Sequence, residues 1–224
     1  MERTGQHKVS VIIPTLNERD AIANVISQVK KYVPGCEIIV VDSSEDGTYE
    51  LAIKSGAKVL KEPRLGYGHA IRRGLSEATG TILLFIDGDN SYSASDIPKV
   101  IEPIALGEAD LSIGARFHSR PKGMTITRYV GNLIINSIFS NLFKRKITDS
   151  QTGLKAISSE AYKKLQLKEN GMPFSTEVLL KSISNNLRVK EVQVSYDTRV
   201  GRSKLDPIKD GIRIILYMLS QNLR

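Results

Sequence analysis

Tryptophan is absent from this 224-residue chain, cysteine occurs once, and aromatic side chains make up only 6% of it. The single Cys36 excludes an internal disulfide framework and any cysteine-based metal site. A chain without disulfides is compatible with a reducing, intracellular setting. The scarcity of aromatics, together with the lack of zinc-finger spacing or an RNP-like aromatic motif, argues against nucleic acid as a partner. No apolar stretch approaches the roughly 20 residues that span a bilayer. Polar residues 1–8 lead straight into a strand pattern, so no signal peptide is expected. What is abundant is positive charge: 32 lysines and arginines against 24 acidic residues, a formal net charge of +8. Such an excess favours an anionic partner, whether a phosphorylated substrate, nucleic acid or an acidic lipid surface. The basic residues gather late, at Arg116, Arg120, Lys122, Arg128, 144–146 and 199–204.

Apolar, β-branched runs at 9–13, 37–41, 57–60, 81–86 and 109–113 read as strands buried on both faces, as parallel strands are. Helical periodicity fills the gaps: Ile22, Val25, Ile26, Val29 and Val33 share a face, as do Ile71, Leu75 and Ala78 before Gly80. A helix is also expected over 96–106, with Pro98 tolerated in its first turn. This alternation predicts an α/β fold, a mostly parallel central sheet with helices on both faces. Past Arg116 the pattern changes to a polar loop over 119–125 and an amphipathic helix carrying Ile134, Ile135, Ile138, Phe139 and Leu142. A strand near 154–157, a helix over 175–184 and a strand over 188–196 follow. An amphipathic helix at about 207–223 ends the chain, with Ile208, Ile212, Ile215, Leu216, Leu219 and Leu223 on one face. Its plainer reading is a core helix, and the alternatives are an interfacial helix or the stub of a longer membrane protein. No repeat or linker intervenes, so residues 1–224 are expected to form a single domain.

Three strand ends are acidic. The first reads Pro14-Thr15-Leu16-Asn17-Glu18, the second Asp42-Ser43-Ser44-Glu45-Asp46-Gly47-Thr48, and the fourth Asp87-Gly88-Asp89. A parallel sheet gathers such ends on its carboxyl edge, where open α/β sheets bind ligands. Two carboxylates around a glycine repel each other unless a cation sits between them, and hard oxygen ligands suit Mg²⁺ or Mn²⁺ carrying a phosphate-bearing substrate. The plainer reading is a solvated turn that caps the next element. Gly66-Tyr67-Gly68-His69 precedes a helix but lacks the endings of a P-loop or dinucleotide fingerprint, leaving a tight turn or a backbone approach to a ligand. Lys144, Arg145 and Lys146 read as a solvated run or, beside an apolar helix, as an anchor for anionic headgroups.

Residues 9–18 (VSVIIPTLNE), 37–48 (EIIVVDSSEDGT), Asp87-Gly88-Asp89, 149–155 (DSQTGLK) and 199–204 (RVGRSK) occur in that order. Together they resemble family 2 glycosyltransferases of the GT-A fold, and among these the dolichyl-phosphate mannose synthases and related polyprenyl-phosphate glycosyltransferases. The resemblance implies inverting, metal-dependent transfer of a hexose from a GDP- or UDP-sugar to dolichyl or another polyprenyl phosphate. It implies a peripheral enzyme at the cytosolic face of a membrane, with Mg²⁺ or Mn²⁺ as cofactor and no nucleic-acid partner. Pro14, Leu16, Glu18, Val41 and Ser43 would then line the nucleotide pocket, and Asp87, Gly88 and Asp89 would hold the diphosphate, the two aspartates as metal ligands. Arg116 matches an arginine at the reacting phosphates, and Arg128 a weaker acceptor-phosphate position. Arg199 and Lys204 match a late basic loop that closes over the donor.

The sequence departs from the family at three of these places. Leu16 stands where an aromatic is common, Ser43 where a second aspartate usually meets the base, and Ser91 where Gln or His often assists the metal. A phosphate monoester is already largely ionised at neutral pH, so no general base is assigned. Glu177 is the carboxylate to test for that role, its plainer reading being an exposed residue at a helix N-terminus. The alternatives are a family 2 transferase with a soluble or saccharide acceptor, or a catalytically silent nucleotide-sugar or lipid-binding module.

Overall fold

The computed structural model describes residues 7–117, 121–201 and 203–222. Arg120, Arg202, Leu223 and part of the 119–125 loop lie outside the described residues. The elements follow in the order β1 (Val9–Thr15), α1 (Arg19–Tyr32), β2 (Glu37–Asp42), α2 (Thr48–Lys54), β3 (Lys58–Lys61), α3 (Tyr67–Glu77) and β4 (Ile82–Phe85). After a short 3-10 turn come α4 (Ile97–Ala105), β5 (Leu111–Ala115), α5 (Ile126–Phe143), β6 (Lys155–Ser158), α6 (Ser159–Leu165), α7 (Phe174–Ser184), β7 (Val189–Gln193) and α8 (Pro207–Asn222). The helix α6 has no counterpart in the sequence reading, because its seven residues are too few to display a period.

Among the described residues the strands form one seven-stranded sheet in the order β3-β2-β1-β4-β6-β5-β7. Only β6 is reversed, pairing antiparallel with β4 and with β5, while the other neighbours pair in parallel. Its insertion separates β4 from β5, which a simple alternation of strands and helices would have placed side by side.

The continuous apolar character of the strands has its cause in burial on both faces. Along β1, Val11 and Ile13 pack with Ile22, Ile26 and Val29 of α1 and Val100 of α4, whereas Ile12 packs toward Ile71 of α3 and Val178 of α7. Each fully buried aliphatic side chain contributes about 1.5–3 kcal/mol by leaving water. Helices α5 and α8 pack together on the second face, through Ile135 and Phe139 from one and Ile214 and Met218 from the other.

The outward face of α5 differs from the sequence reading, and on α8 exposure falls on most of the apolar face read from the sequence. On α8 the core-facing residues are Ile214 and Met218, while Ile208, Ile212, Leu216 and Leu219 are exposed. On α5, Ile134 is exposed with Ile126, Val130 and Leu133 rather than sharing the buried side of Ile135 and Phe139. The apolar stripe legible on the last helix therefore points away from the core.

Candidate active site

Because β1, β2, β4, β5 and β7 all run one way, their carboxyl ends share an edge. The reversed β6 brings the segment before it, 149–154, to the same edge. Just past β4, Ile86 still donates its amide to the Ile12 carbonyl at 3.1 Å. The chain then leaves the sheet and presents Asp87 and Asp89 on either side of the buried Gly88. The Tyr67 hydroxyl donates to Asp87 Oδ1 at 3.1 Å. Burial, and after it the charge of Asp89, push the Asp87 carboxyl up to about 6. Asp89 is 4% exposed. Its Oδ1 accepts the Ser91 amide at 3.0 Å and the Ser91 hydroxyl at 2.5 Å, so Ser91 orients this carboxylate.

A late loop closes against this segment through its backbone. The Asp197 amide donates to the Ser91 carbonyl and the Val200 amide to the Asp89 carbonyl, each at 2.9 Å. Tyr92 and Tyr196 form an isolated bridge with their rings edge to face, 5.1 Å apart. Held this way, the loop lowers two cations into the acidic cleft. Arg199 Nη2 lies 2.5 Å from Asp89 Oδ2 and 3.8 Å from Glu18 Oε1. Lys204 Nζ lies 2.7 Å from Glu18 Oε1 and 2.9 Å from the Asn17 carbonyl. Burial raises the Glu18 carboxyl above its usual range and Asp89 adds to this, against the pull of Lys204.

Deeper at the edge, Arg116 follows β5 and forms a bidentate pair with the fully buried Asp149, Nε to Oδ2 at 2.7 Å and Nη2 to Oδ1 at 2.8 Å. The Arg116 amide reaches Oδ2 as well, at 3.0 Å. The guanidinium lies 5.1 Å from the ring centres of both Phe117 and Tyr196. Such a fork fixed on one side is a rigid cation. Arg116 also lines a groove with Lys122, Tyr196 and Asp197. Below it Lys155, in β6, is fully buried, donating to the Thr152 carbonyl and to Ser175 Oγ at 3.3 Å. Burial pushes its ammonium down to about 7.

Glu18, Asp87, Asp89, Arg116, Arg199 and Lys204, all named from the sequence, thus meet at one edge. Pro14 and Leu16 are half-buried at the end of β1 and just past it. Ser43 lies just past β2, its amide on the Thr15 carbonyl at 3.1 Å and its hydroxyl on the Pro63 carbonyl at 3.3 Å. The Val41 side chain is 0% exposed within the core that contains Ile12 and Ile71, so only its backbone is at the cleft end of β2. Arg128, in the first turn of α5, donates to the Ser203 hydroxyl and so tethers the late loop. Glu177 departs from its plainer reading as an exposed residue at a helix N-terminus. It is 2% exposed and its carboxylate accepts the Lys168 and Glu169 amides, which makes it a loop anchor rather than an exposed helix-end residue. In the sequence Asp149 and Lys155 are parts of a motif without individual roles. A lysine inside an apolar strand pattern was the available signal for Lys155.

Among the described residues no cluster of three or more His, Cys, Asp or Glu could hold a metal on its own. Asp87 and Asp89 nonetheless suit a hard divalent ion, provided that substrate phosphates and water would supply the other ligands. Asp89 already accepts one cation, the Arg199 guanidinium. The Arg199 Nε–H is buried without a hydrogen-bond partner among the described residues, a donor available to an anionic oxygen.

Known proteins resemble this chain in sequence and in fold. The low-salt glycan biosynthesis hexosyltransferase Agl6 of Haloferax volcanii is 29% identical over 218 residues, 94% of this chain, which spans 53% of that relative. A dolichyl-phosphate hexose transferase of the same organism is 29% identical over 207 residues, covering 92% of this chain and 90% of that protein. The crystal structure of glucosyl-3-phosphoglycerate synthase from Mycobacterium tuberculosis, in complex with Mn²⁺, UDP and phosphoglyceric acid, superposes with a TM-score of 0.79 at 25% identity. It covers 97% of this chain and 78% of that one. Residues 10–166 match glycosyl transferase family 2, and with the mixed sheet described above they show that the chain belongs to that family and is an enzyme of the GT-A fold.

Proposed function

We propose that the chain transfers a hexose, mannose or glucose, from a GDP- or UDP-sugar to dolichyl or another polyprenyl phosphate, with inversion, at the cytosolic surface of a membrane. The observation that carries this reading is the pairing of charges at the sheet edge. Asp87 and Asp89 stand within one cleft with Arg116, Arg199 and Lys204, an arrangement that suits two phosphate-bearing reactants and a divalent cation. The relative that is a dolichyl-phosphate hexose transferase and the neighbour crystallised with Mn²⁺ and UDP support the lipid acceptor and the metal-bound donor.

Asp87 and Asp89 would hold Mg²⁺ or Mn²⁺, which when bound supplies Lewis-acid stabilisation of the departing nucleoside diphosphate. The protein's own residues do the rest. Ser91 and Tyr67 orient the two carboxylates. Arg199 and Lys204, on a loop latched by backbone hydrogen bonds, neutralise the cleft and are placed to follow the diphosphate. Arg116, held on one side by Asp149, offers a fixed cation to the acceptor phosphate. That phosphate is its own ionised nucleophile, so the mechanism uses no general base.

The membrane surface is supported by α5 and α8. Ile126, Val130, Leu133 and Ile134 on one helix, and Ile208, Ile212, Leu216 and Leu219 on the other, are exposed on a packed pair. Lys144, Arg145, Lys146, Lys209 and Arg213 supply positive charge on the same helices or next to them. Apolar side chains beside basic ones suit an anionic bilayer surface. Among the described residues no helix is long and apolar enough to cross a membrane.

A soluble phosphorylated acceptor is the second reading, favoured by the phosphoglyceric acid in the neighbour's crystal structure. The test is incubation with GDP-mannose, UDP-glucose and related donors, against a polyprenyl phosphate or phosphoglycerate, in Mg²⁺, Mn²⁺ or chelator, with the product identified by mass. A metal-dependent glycosylated lipid is expected. Product on phosphoglycerate alone, or none with any pair, overturns the lipid reading.

A further inference from the structure

The glycines of Gly66-Tyr67-Gly68-His69 have physical reasons to be glycine. Gly66 sits at φ +119, and a Cβ there would lie 2.3 Å from the Asn170 carbonyl oxygen. A Cβ on Gly68 would lie 2.5 Å from the Glu169 carbonyl oxygen and 2.6 Å from Phe174 Cβ. The backbone of this turn therefore approaches segment 169–174 closely. The His69 amide is spent on the Asn170 carbonyl at 3.0 Å rather than being offered to a phosphate.

Segment 169–174 is itself fixed. The Glu177 carboxylate accepts the Lys168 amide at 2.9 and 3.0 Å and the Glu169 amide at 2.9 Å, and it pairs with Lys181 at 3.0 Å. Between the two glycines, Tyr67 projects to the cleft. Its ring meets Phe174 edge-on at 6.4 Å, and its hydroxyl donates to Asp87 Oδ1 at 3.1 Å.

Asp87 is bounded from a second direction by Gly153. A Cβ on that residue would lie 2.2 Å from Asp87 Oδ2 and 2.5 Å from its Cγ, so the carboxylate rests where any other side chain would begin. Gly153 is in turn located by Tyr92, whose hydroxyl accepts the Gly153 amide at 2.6 Å and pairs with Thr152 Oγ1 at 3.1 Å. Two independent pieces of chain, the start of α3 and the segment before β6, thus converge on one carboxylate.

We propose that Tyr67 and Gly153 are positioning residues for the metal carboxylate Asp87: the tyrosine hydroxyl fixes its rotamer, and the missing side chain of the glycine leaves the space it occupies. This rests on reading Asp87 and Asp89 as the metal ligands. Glu177, two steps removed, holds the loop that holds the tyrosine. A carboxylate held in place before the ion arrives loses less freedom on binding it, and partners of this kind are typically worth about 10–100-fold in metal affinity.

The test is Mn²⁺ binding by the purified full chain, followed through the electron paramagnetic resonance signal of free Mn²⁺ in the presence of UDP and, separately, GDP. Tyr67→Phe keeps the ring and removes one hydroxyl. Its Mn²⁺ dissociation constant is expected to rise about 10–100-fold with a cooperative urea transition retained, and saturating Mn²⁺ is expected to restore turnover. Gly153→Ala is expected to shift the constant in the same direction. If both variants bind Mn²⁺ within about twofold of wild type, below the range for such partners, the inference is overturned while the metal reading stands. Tyr67→Phe turnover lost at every Mn²⁺ concentration overturns it too. If wild type takes up no Mn²⁺ with either nucleotide, or Asp89→Asn matches wild type, the metal reading itself falls and carries this inference with it.

Discussion

Arg199→Gln is expected to act in opposite directions on the two ligands of the cleft. In the unliganded protein the Arg199 guanidinium sits 2.5 Å from Asp89 Oδ2, with only 22% of the arginine side chain and 6% of the aspartate side chain exposed. A hydrogen bond to a charged group at such a site is worth about 1.5–3 kcal/mol net. A cation entering at Asp89 has to displace it, and 1.5–3 kcal/mol corresponds to about 10–150-fold in affinity. Glutamine removes the competing charge, so Mn²⁺ alone should bind Arg199→Gln about tenfold or more tightly than wild type. The nucleoside diphosphate loses its cation in the same variant, so UDP or GDP should bind more weakly. On the proposed reading the diphosphate would draw Arg199 off Asp89 and leave that carboxylate free to hold the metal, so each ligand would aid the other. That coupling factor, equal in both directions by linkage, should shrink in the variant. Isothermal titration of Mn²⁺ with and without nucleotide measures all these quantities. Mn²⁺ binding to Arg199→Gln no tighter than to wild type in the absence of nucleotide, or undiminished coupling, would refute the exchange.

The buried Lys155 gives a pH prediction whose sign follows from its lowered ammonium, about 7 against an ordinary 10.5. Between those values the unfolded chain binds a proton that the folded chain does not, so this group makes stability fall as pH drops from about 10.5 toward about 7, by up to about 1.4 kcal/mol per pH unit, and level off below about 7, where both states hold the proton. Lys155→Met should flatten that slope in urea titrations at pH 7.5, 8.5 and 9.5, and an unchanged slope would show that the lysine is not desolvated in solution. At the outer helices, Ile212→Asp with Leu216→Asp should release the protein from sedimenting vesicles of mixed phosphatidylcholine and phosphatidylserine without lowering its melting temperature, because both side chains are exposed. Retention of the double variant on vesicles, or failure of wild type to sediment with them, would remove α8 from the membrane surface.

Much of this architecture is legible in the linear chain because its causes are local. The alternation of doubly buried apolar runs with 3.6-residue periodicity reports strands and helices directly, and acidic strand ends report the sheet edge once the strands are known to be parallel. The reversal of β6 was not legible, since residues 154–157 carry the same apolar signature in either direction. That reversal is what turns Asp149 toward Arg116 and Gly153 toward Asp87. Burial also misleads along a single helix: α8 displays its broadest apolar stripe to solvent, because its core contacts run through Ile214 and Met218.

By itself the sequence determined the α/β class, the acidic strand ends and the late basic loop, since each depends on residue type and short spacing. Tertiary structure alone decided that Arg199 rests on Asp89 across more than one hundred residues of chain, that Glu177 is buried and anchors a loop, and that Tyr67 reaches Asp87. The physical reason is the same in each case. These are contacts between side chains whose separation along the chain carries no information, and only the packing of α3, β6 and the loop after β7 onto one edge of the sheet sets their distances.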